Sequence, residues 1–161
     1  TNLNQLAEEY LRLTYHDMRA KYHLFNVALL LYPDPAVGWV NVVRQDLGRA
    51  LLGVFTTALS AVHQRLQQGD ETYIPQLALT TKRVGDGVDI YVRANGVALS
   101  QTTQQTIFQR FPAADRATES TLGLALSHDL LTKGFSGKIS VSSEADDFTE
   151  YHIWLPLPAL A

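Results

Sequence analysis

Apolar residues recur along this chain with two periods. Leu3, Leu6, Ala7, Tyr10, Leu11 and the run Leu13 to Tyr15 fall at three- and four-residue spacings, which predicts an amphipathic helix over residues 3–20. Leu24 to Tyr32 is apolar and β-prone, and Pro33-Asp34-Pro35 ends it as a strand. A short extended piece, Val37 to Val43, leads into Gln45-Asp46. Leu47, Leu51, Val54, Phe55, Ala58, Leu59 and Val62 then form a wide helical stripe, broken at Gln68-Gly69-Asp70. Beyond it the period changes to two: Tyr73 to Arg83 and Val88 to Val92 alternate around Gly85-Asp86-Gly87, as a hairpin does. Residues 101–111 and 120–133 read as helices, and Lys138 to Ser143 with Phe148 to Leu155 as a closing hairpin. This order predicts an α+β sandwich with helices on one face of a mixed sheet, and no repeat or linker divides the chain.

Composition narrows the function classes. The 161 residues are 46% hydrophobic, with 13 basic and 16 acidic side chains, so the formal charge is 13 − 16 = −3. That suits a globular domain and gives no basic footprint for nucleic acid. No Cys is present, which excludes a disulfide framework, a thiolate metal site and a Cys nucleophile, and fits a reducing, cytoplasmic setting. Val27 to Tyr32 and Ala50 to Phe55, the longest apolar runs, are far short of the roughly 20 residues a membrane span needs. The start, TNLNQLAEEY, is unlike a secretory signal and is expected to continue a longer upstream chain.

Seven segments together carry a family resemblance: LAEEYLRLTYHDMRAKYHLFNVAL, QDLGRALLGVFTTALSAV, VDIYVRANGVAL, IFQRF, STLGLALSHDLL, and the last pair SGKISVSS with IWLPL. In order and spacing these resemble the catalytic ATP-binding domain of two-component sensor histidine kinases, of the GHKL ATPase fold. The resemblance implies a two-layer α/β sandwich and a division at residue 22. Residues 1–22 would be the end of a dimerisation helix and its linker, and residues 23–161 the ATPase domain. It also implies Mg-ATP as the family cofactor, and phosphoacceptor helices and a response-regulator receiver domain as partners.

The ligand residues that the resemblance implies are mostly missing. The two Asn of the N-box fall on Gly53 and Thr57, one helical turn apart, so a short neutral hydroxyl stands where the magnesium ligand is expected. The first glycine box, Asp-x-Gly-x-Gly, is Ala94-Asn95-Gly96-Val97-Ala98, which leaves no carboxylate for the adenine amino group. The second is Glu119-Ser120-Thr121-Leu122-Gly123, where only Gly123 remains and Glu119 brings negative charge to a phosphate position. The lid segment before it, Pro112 to Thr118, has no lid-like match. Three lost contacts at about 1–3 kcal/mol each compare with about 8 kcal/mol for a micromolar site. The expectation is a degenerate pocket with no tight cofactor, no catalytic residue and a regulatory or docking role. The alternatives are a weak but active Mg-ATP site, and an inert module that forms a homodimer through Leu3, Leu6, Tyr10 and Leu13.

Other residues carry plainer readings. His16-Asp17-Met18-Arg19 is similar to a phosphoacceptor box, but Lys21 stands where its Pro is expected, so His16 is read as a linker histidine. His23, His63, His128 and His152 form no metal-ligand spacing. Ser120 and Thr121 are expected at a helix start rather than as nucleophiles, and Glu119 is equally a favourable first-turn acid. Phe108 and Phe111 are expected to anchor the core beneath the lid.

Overall fold

The computed structural model describes residues 1–108, 119–144 and 147–157, with only the backbone of 119–123. Helix α1 spans Leu3–Lys21, strand β1 Ala28–Tyr32, helix α2 Arg44–Leu66, and strands β2 and β3 Gln76–Val84 and Gly87–Ala94. Short α3, Gln101–Thr106, is followed by α4, Glu119–Asp129, which runs into a π-helical turn at Leu130–Gly134. Strands β4, Lys138–Ser143, and β5, Thr149–Pro156, complete the chain. The five strands form one mixed sheet in the order β1-β2-β3-β5-β4, with β1 parallel to β2 and every other pair antiparallel.

Period-two alternation decides which sheet face is buried. Leu77 and Leu79 of β2, Val88, Ile90, Val92 and Ala94 of β3, and Tyr151, Ile153 and Leu155 of β5 all point under the helices. The register aligns them in cross-strand rows, Leu79 beside Val92 beside Tyr151 and Leu77 beside Ala94 beside Thr149. The β2–β3 hairpin closes between Val84 and Gly87, and Gly85, at φ +55°, supplies the positive φ that such a two-residue turn needs at its first central position.

Helix α2 is the centre of the helical layer. All seven residues of its sequence stripe are buried, at about 1.5–3 kcal/mol for each large side chain. Asp46 in its first turn and Arg65 in its last complement the helix dipole.

Leu3, Leu6 and Leu11 of α1 are fully buried in the same hydrophobic cluster as α2. The face proposed for dimerisation is therefore taken: Leu3 and Leu6 are inside, and the ring of Tyr10 lies over Gly48, where an added Cβ would come within 2.2 Å of it. Only Leu13, 51% exposed, stays outside. Asn2 caps α1 by accepting from the Gln5 N–H at 3.0 Å, and Val37–Val43 forms no strand but pairs with the chain start through an Asn2–Trp39 bridge. The first strand begins only at Ala28 because Leu24 turns the chain with φ +63°. Helix α3 ends at Thr106; the reading of Phe111 and of Pro112 to Thr118 lies outside the described residues.

Candidate functional site

The cleft implied by the resemblance lies between α2 and the segment that follows β3. Thr57 and Gly53 share one face of α2, and the Thr57 hydroxyl donates to the Gly53 carbonyl at 2.9 Å, an internal bond typical of Thr within helices. Ala94 ends β3 with 3% of its surface exposed. Gly96 then lies directly on α2, where a Cβ would sit 2.5 Å from the Ala61 carbonyl carbon and 2.6 Å from the Val62 nitrogen. The Val97 N–H donates to the Ala61 carbonyl at 3.1 Å and completes the contact. What separates these elements is a cavity of about 30 Å³, lined by Thr57, Ala58, Ala61, Ala94, Gly96, Val97, Leu99, Thr149 and Tyr151. That is water-sized, against the roughly 300–1,000 Å³ of small-molecule sites. Among the described residues its lining carries no charged side chain.

Of the residues singled out in the sequence, the fold brings Thr57, Ala94 and Gly96 to this cavity. Gly53 lies one turn away on α2, and Ala98 is exposed rather than part of the lining. Phe108 packs against the core and stacks on His128 of α4, ring centres 5.6 Å apart. Glu119 opens α4, but the side chains of Glu119, Thr121 and Gly123 lie outside the described residues. His16 is exposed on α1. Among the described residues no three His, Asp or Glu side chains group to hold a metal. Among the described residues, those facing the cavity offer neither a carboxylate nor an amide side chain for adenine or magnesium.

Sequence reasoning missed the wall that closes the cleft on the other side. The Leu99 N–H donates to Ser143 Oγ at 2.9 Å, and Ser143 Oγ and Thr149 Oγ1 share a hydrogen bond of 2.7 Å. The Leu99 carbonyl accepts from Gln104 Nε2 at 3.0 Å. The segment after β3 is thus tied to α2, to the β4–β5 hairpin and to α3. A readable signal existed: Thr149 is the polar member of the inward row Thr149, Tyr151, Ile153, Leu155. Burial pushes the Tyr151 phenol well above its ordinary value, as expected for a ring sealed in this wall.

The profile of the histidine kinase-, DNA gyrase B- and HSP90-like ATPases matches residues 43–159. The chain belongs to that family. Solved structures agree on the fold of this ATPase-family domain. The catalytic domain of the histidine kinase ThkA superposes with a TM-score of 0.74 at 18% identity, covering 97% of this chain and 92% of that one. The mycobacterial sensor histidine kinase MprB gives a TM-score of 0.72 at 18% identity, covering 98% and 97%. Full-length ShkA in complex with AMPPNP matches 100% of this chain with 31% of its own length, at a TM-score of 0.74 and 17% identity. No curated protein matches the chain significantly in sequence. No helix among the described residues is long and apolar enough to cross a membrane.

Proposed function

We propose that this histidine kinase-like ATPase domain does not hold Mg-ATP, and that it serves as a cytoplasmic regulatory or docking module of a sensor histidine kinase. The observation that supports the reading is the lining of the inner cleft: Ala94 lies where the resemblance expects the adenine-reading Asp, and the neighbouring space is about 30 Å³, with no charged side chain among the described residues that line it. Opening it would mean lifting Gly96 from the α2 backbone and parting Leu99 from Ser143. Those costs add to the missing ligand contacts of about 1–3 kcal/mol each. Together they offset the roughly 8 kcal/mol that a micromolar nucleotide site supplies.

The partners that suit this reading are the dimerisation and phosphoacceptor helices of the parent kinase and a receiver domain. Dimerisation through Leu3, Leu6 and Tyr10 is set aside, because that face packs against α2. Residues 1–22 are assigned to the ATPase domain itself, since they share its core. Calorimetric titration with Mg-ADP and Mg-ATP tests the proposal, with Kd weaker than about 1 mM expected. A Kd below about 100 μM, with backbone shifts at Ala58, Gly96 and Leu99, would establish the competing reading of an active ATP site.

A further inference from the structure

A second cavity lies on the opposite, uncovered face of the sheet. It measures about 490 Å³, within the usual range of small-molecule sites, where the inner cleft is not. Its floor is the cross-strand row Leu30, Ala78 and Arg93 of β1, β2 and β3. One wall is the segment after α2, Asp70 to Ile74, and the other is Asp147 and Phe148 ahead of β5.

Two arginines face this space, each laid on an aromatic ring. Arg65 lies 4.3 Å from the Tyr73 ring centre, and Arg93 lies 3.4 Å from that of Phe148. The first wall is rigidly built. The Asn95 carbonyl accepts from Arg65 Nη1 at 2.8 Å and from the Tyr73 hydroxyl at 2.7 Å, while the Asn95 side chain donates to the Ile74 carbonyl and accepts from the Gln76 N–H. A guanidinium has five N–H donors. Arg65 spends one on Asn95, and the carboxylate nearest Arg93, that of Glu150, stands 3.9 Å away, beyond hydrogen-bond distance.

Among the described residues no acid of the cleft hydrogen-bonds either guanidinium. Asp70 accepts from the Thr72 hydroxyl and N–H at 2.7 and 2.9 Å, which together with the positive charge of Arg65 hold its carboxyl below the ordinary range, and Asp147 is exposed. Leu30 and Ile74 add apolar surface at 36% and 67% exposure.

We propose that this outer cleft binds a small carboxylate or phosphate monoester with a flat apolar body. Its anionic group would sit between Arg65 and Arg93, and its body on Leu30, Ala78 and Ile74. The proposal stands independently of whether the inner cleft takes nucleotide.

Titration of the isotope-labelled domain with 3-phenylpropionate and with phenyl phosphate, followed by amide NMR, tests it. The uncharged 3-phenylpropanol is the control. Saturable shifts confined to Arg65, Tyr73, Arg93, Asn95 and Phe148 are expected, with Kd of about 1–10 mM for one or both anions. Which anion binds more tightly separates a carboxylate from a phosphate ligand. Arg93→Gln should weaken binding about tenfold, Asp147→Asn should strengthen it several-fold, and Ala78→Leu should abolish it by filling the floor with both arginines intact. The absence of saturable shifts, equal binding of the alcohol, or unchanged affinity in both Arg93→Gln and Ala78→Leu would overturn the proposal. Shifts at Ala58, Gly96 and Leu99 instead would report on the inner cleft and leave the outer one without a ligand.

Discussion

The two faces of the sheet end in two clefts that share Ala94 in their linings and differ in almost everything else. On the inner side, small residues and backbone fill the space: Gly96 rests on α2, and Leu99, Ser143 and Thr149 form a chain of hydrogen bonds across the mouth. On the outer side, long side chains wall an open space and keep donors in reserve. In a protein interior, space too small for a ligand is filled to near-crystalline density and resists change by even a methyl group. The inner cleft follows that rule among the described residues, where only a water-sized space of about 30 Å³ remains beside Thr57, Ala94 and Gly96.

The largest expected effect comes from breaking that packing. Gly96→Ala would force a Cβ to 2.5 Å from the Ala61 backbone, where no flexible side chain can yield. A loss of about 3 kcal/mol is expected, seen as a fall in Tm of about 6–12 °C for a domain of this size. Urea unfolding checks it. A loss under about 1 kcal/mol would mean that the segment lifts easily from α2 and that the inner cleft can open. Next in size is Ser143→Ala, which leaves the Leu99 N–H without its acceptor and should cost about 1–2 kcal/mol. If this variant also gained Mg-ADP affinity in a melting assay, the hydrogen-bonded mouth would be the barrier to nucleotide, and the missing ligands would be secondary.

Much of the scaffold could be read from period alone. The α2 stripe is buried at all seven positions, and the Gly85-Asp86 turn stands where the alternation reverses. The face of α1 was readable too, but its partner was not: Leu3, Leu6 and Tyr10 have the same spacing whether they meet α2 or a second chain. Their contact depends on Gly48, whose role as a seat for the Tyr10 ring becomes visible only when the helices are brought together. Thr57, Ala94 and Gly96 could be placed in one cleft because a motif names them. Thr149 showed as the polar member of an inward row, but its link through Ser143 to Leu99, 44 residues from Ser143, runs through a sheet order that local pattern does not encode. The outer cleft was illegible for the same reason, because its arginines come from the end of α2 and the end of β3.

The smallest effect, and the one that sharpens the contrast most directly, concerns two tyrosines. Tyr73 lines the open cleft and Tyr151 the sealed one, and burial raises both phenols. Tyr73 is pushed up to about 12, and the more deeply buried Tyr151 further still. Above pH 10 an unfolded tyrosine loses its proton while these two keep theirs, so the folded protein holds more protons and its stability falls as pH rises from 10 to 12. Ultraviolet phenolate titration of the folded protein should lose a group near pH 12 in Tyr73→Phe. The same titration of Tyr151→Phe should be unchanged over that range, because Tyr151 ionises only as the domain unfolds. Tyr73→Phe should also remove part of the alkaline fall in stability, at the cost of its hydrogen bond to the Asn95 carbonyl. If Tyr151 ionised before Tyr73, solvent would reach the inner cleft more readily than the outer one, and the assignment of closed and open sides would have to be reversed.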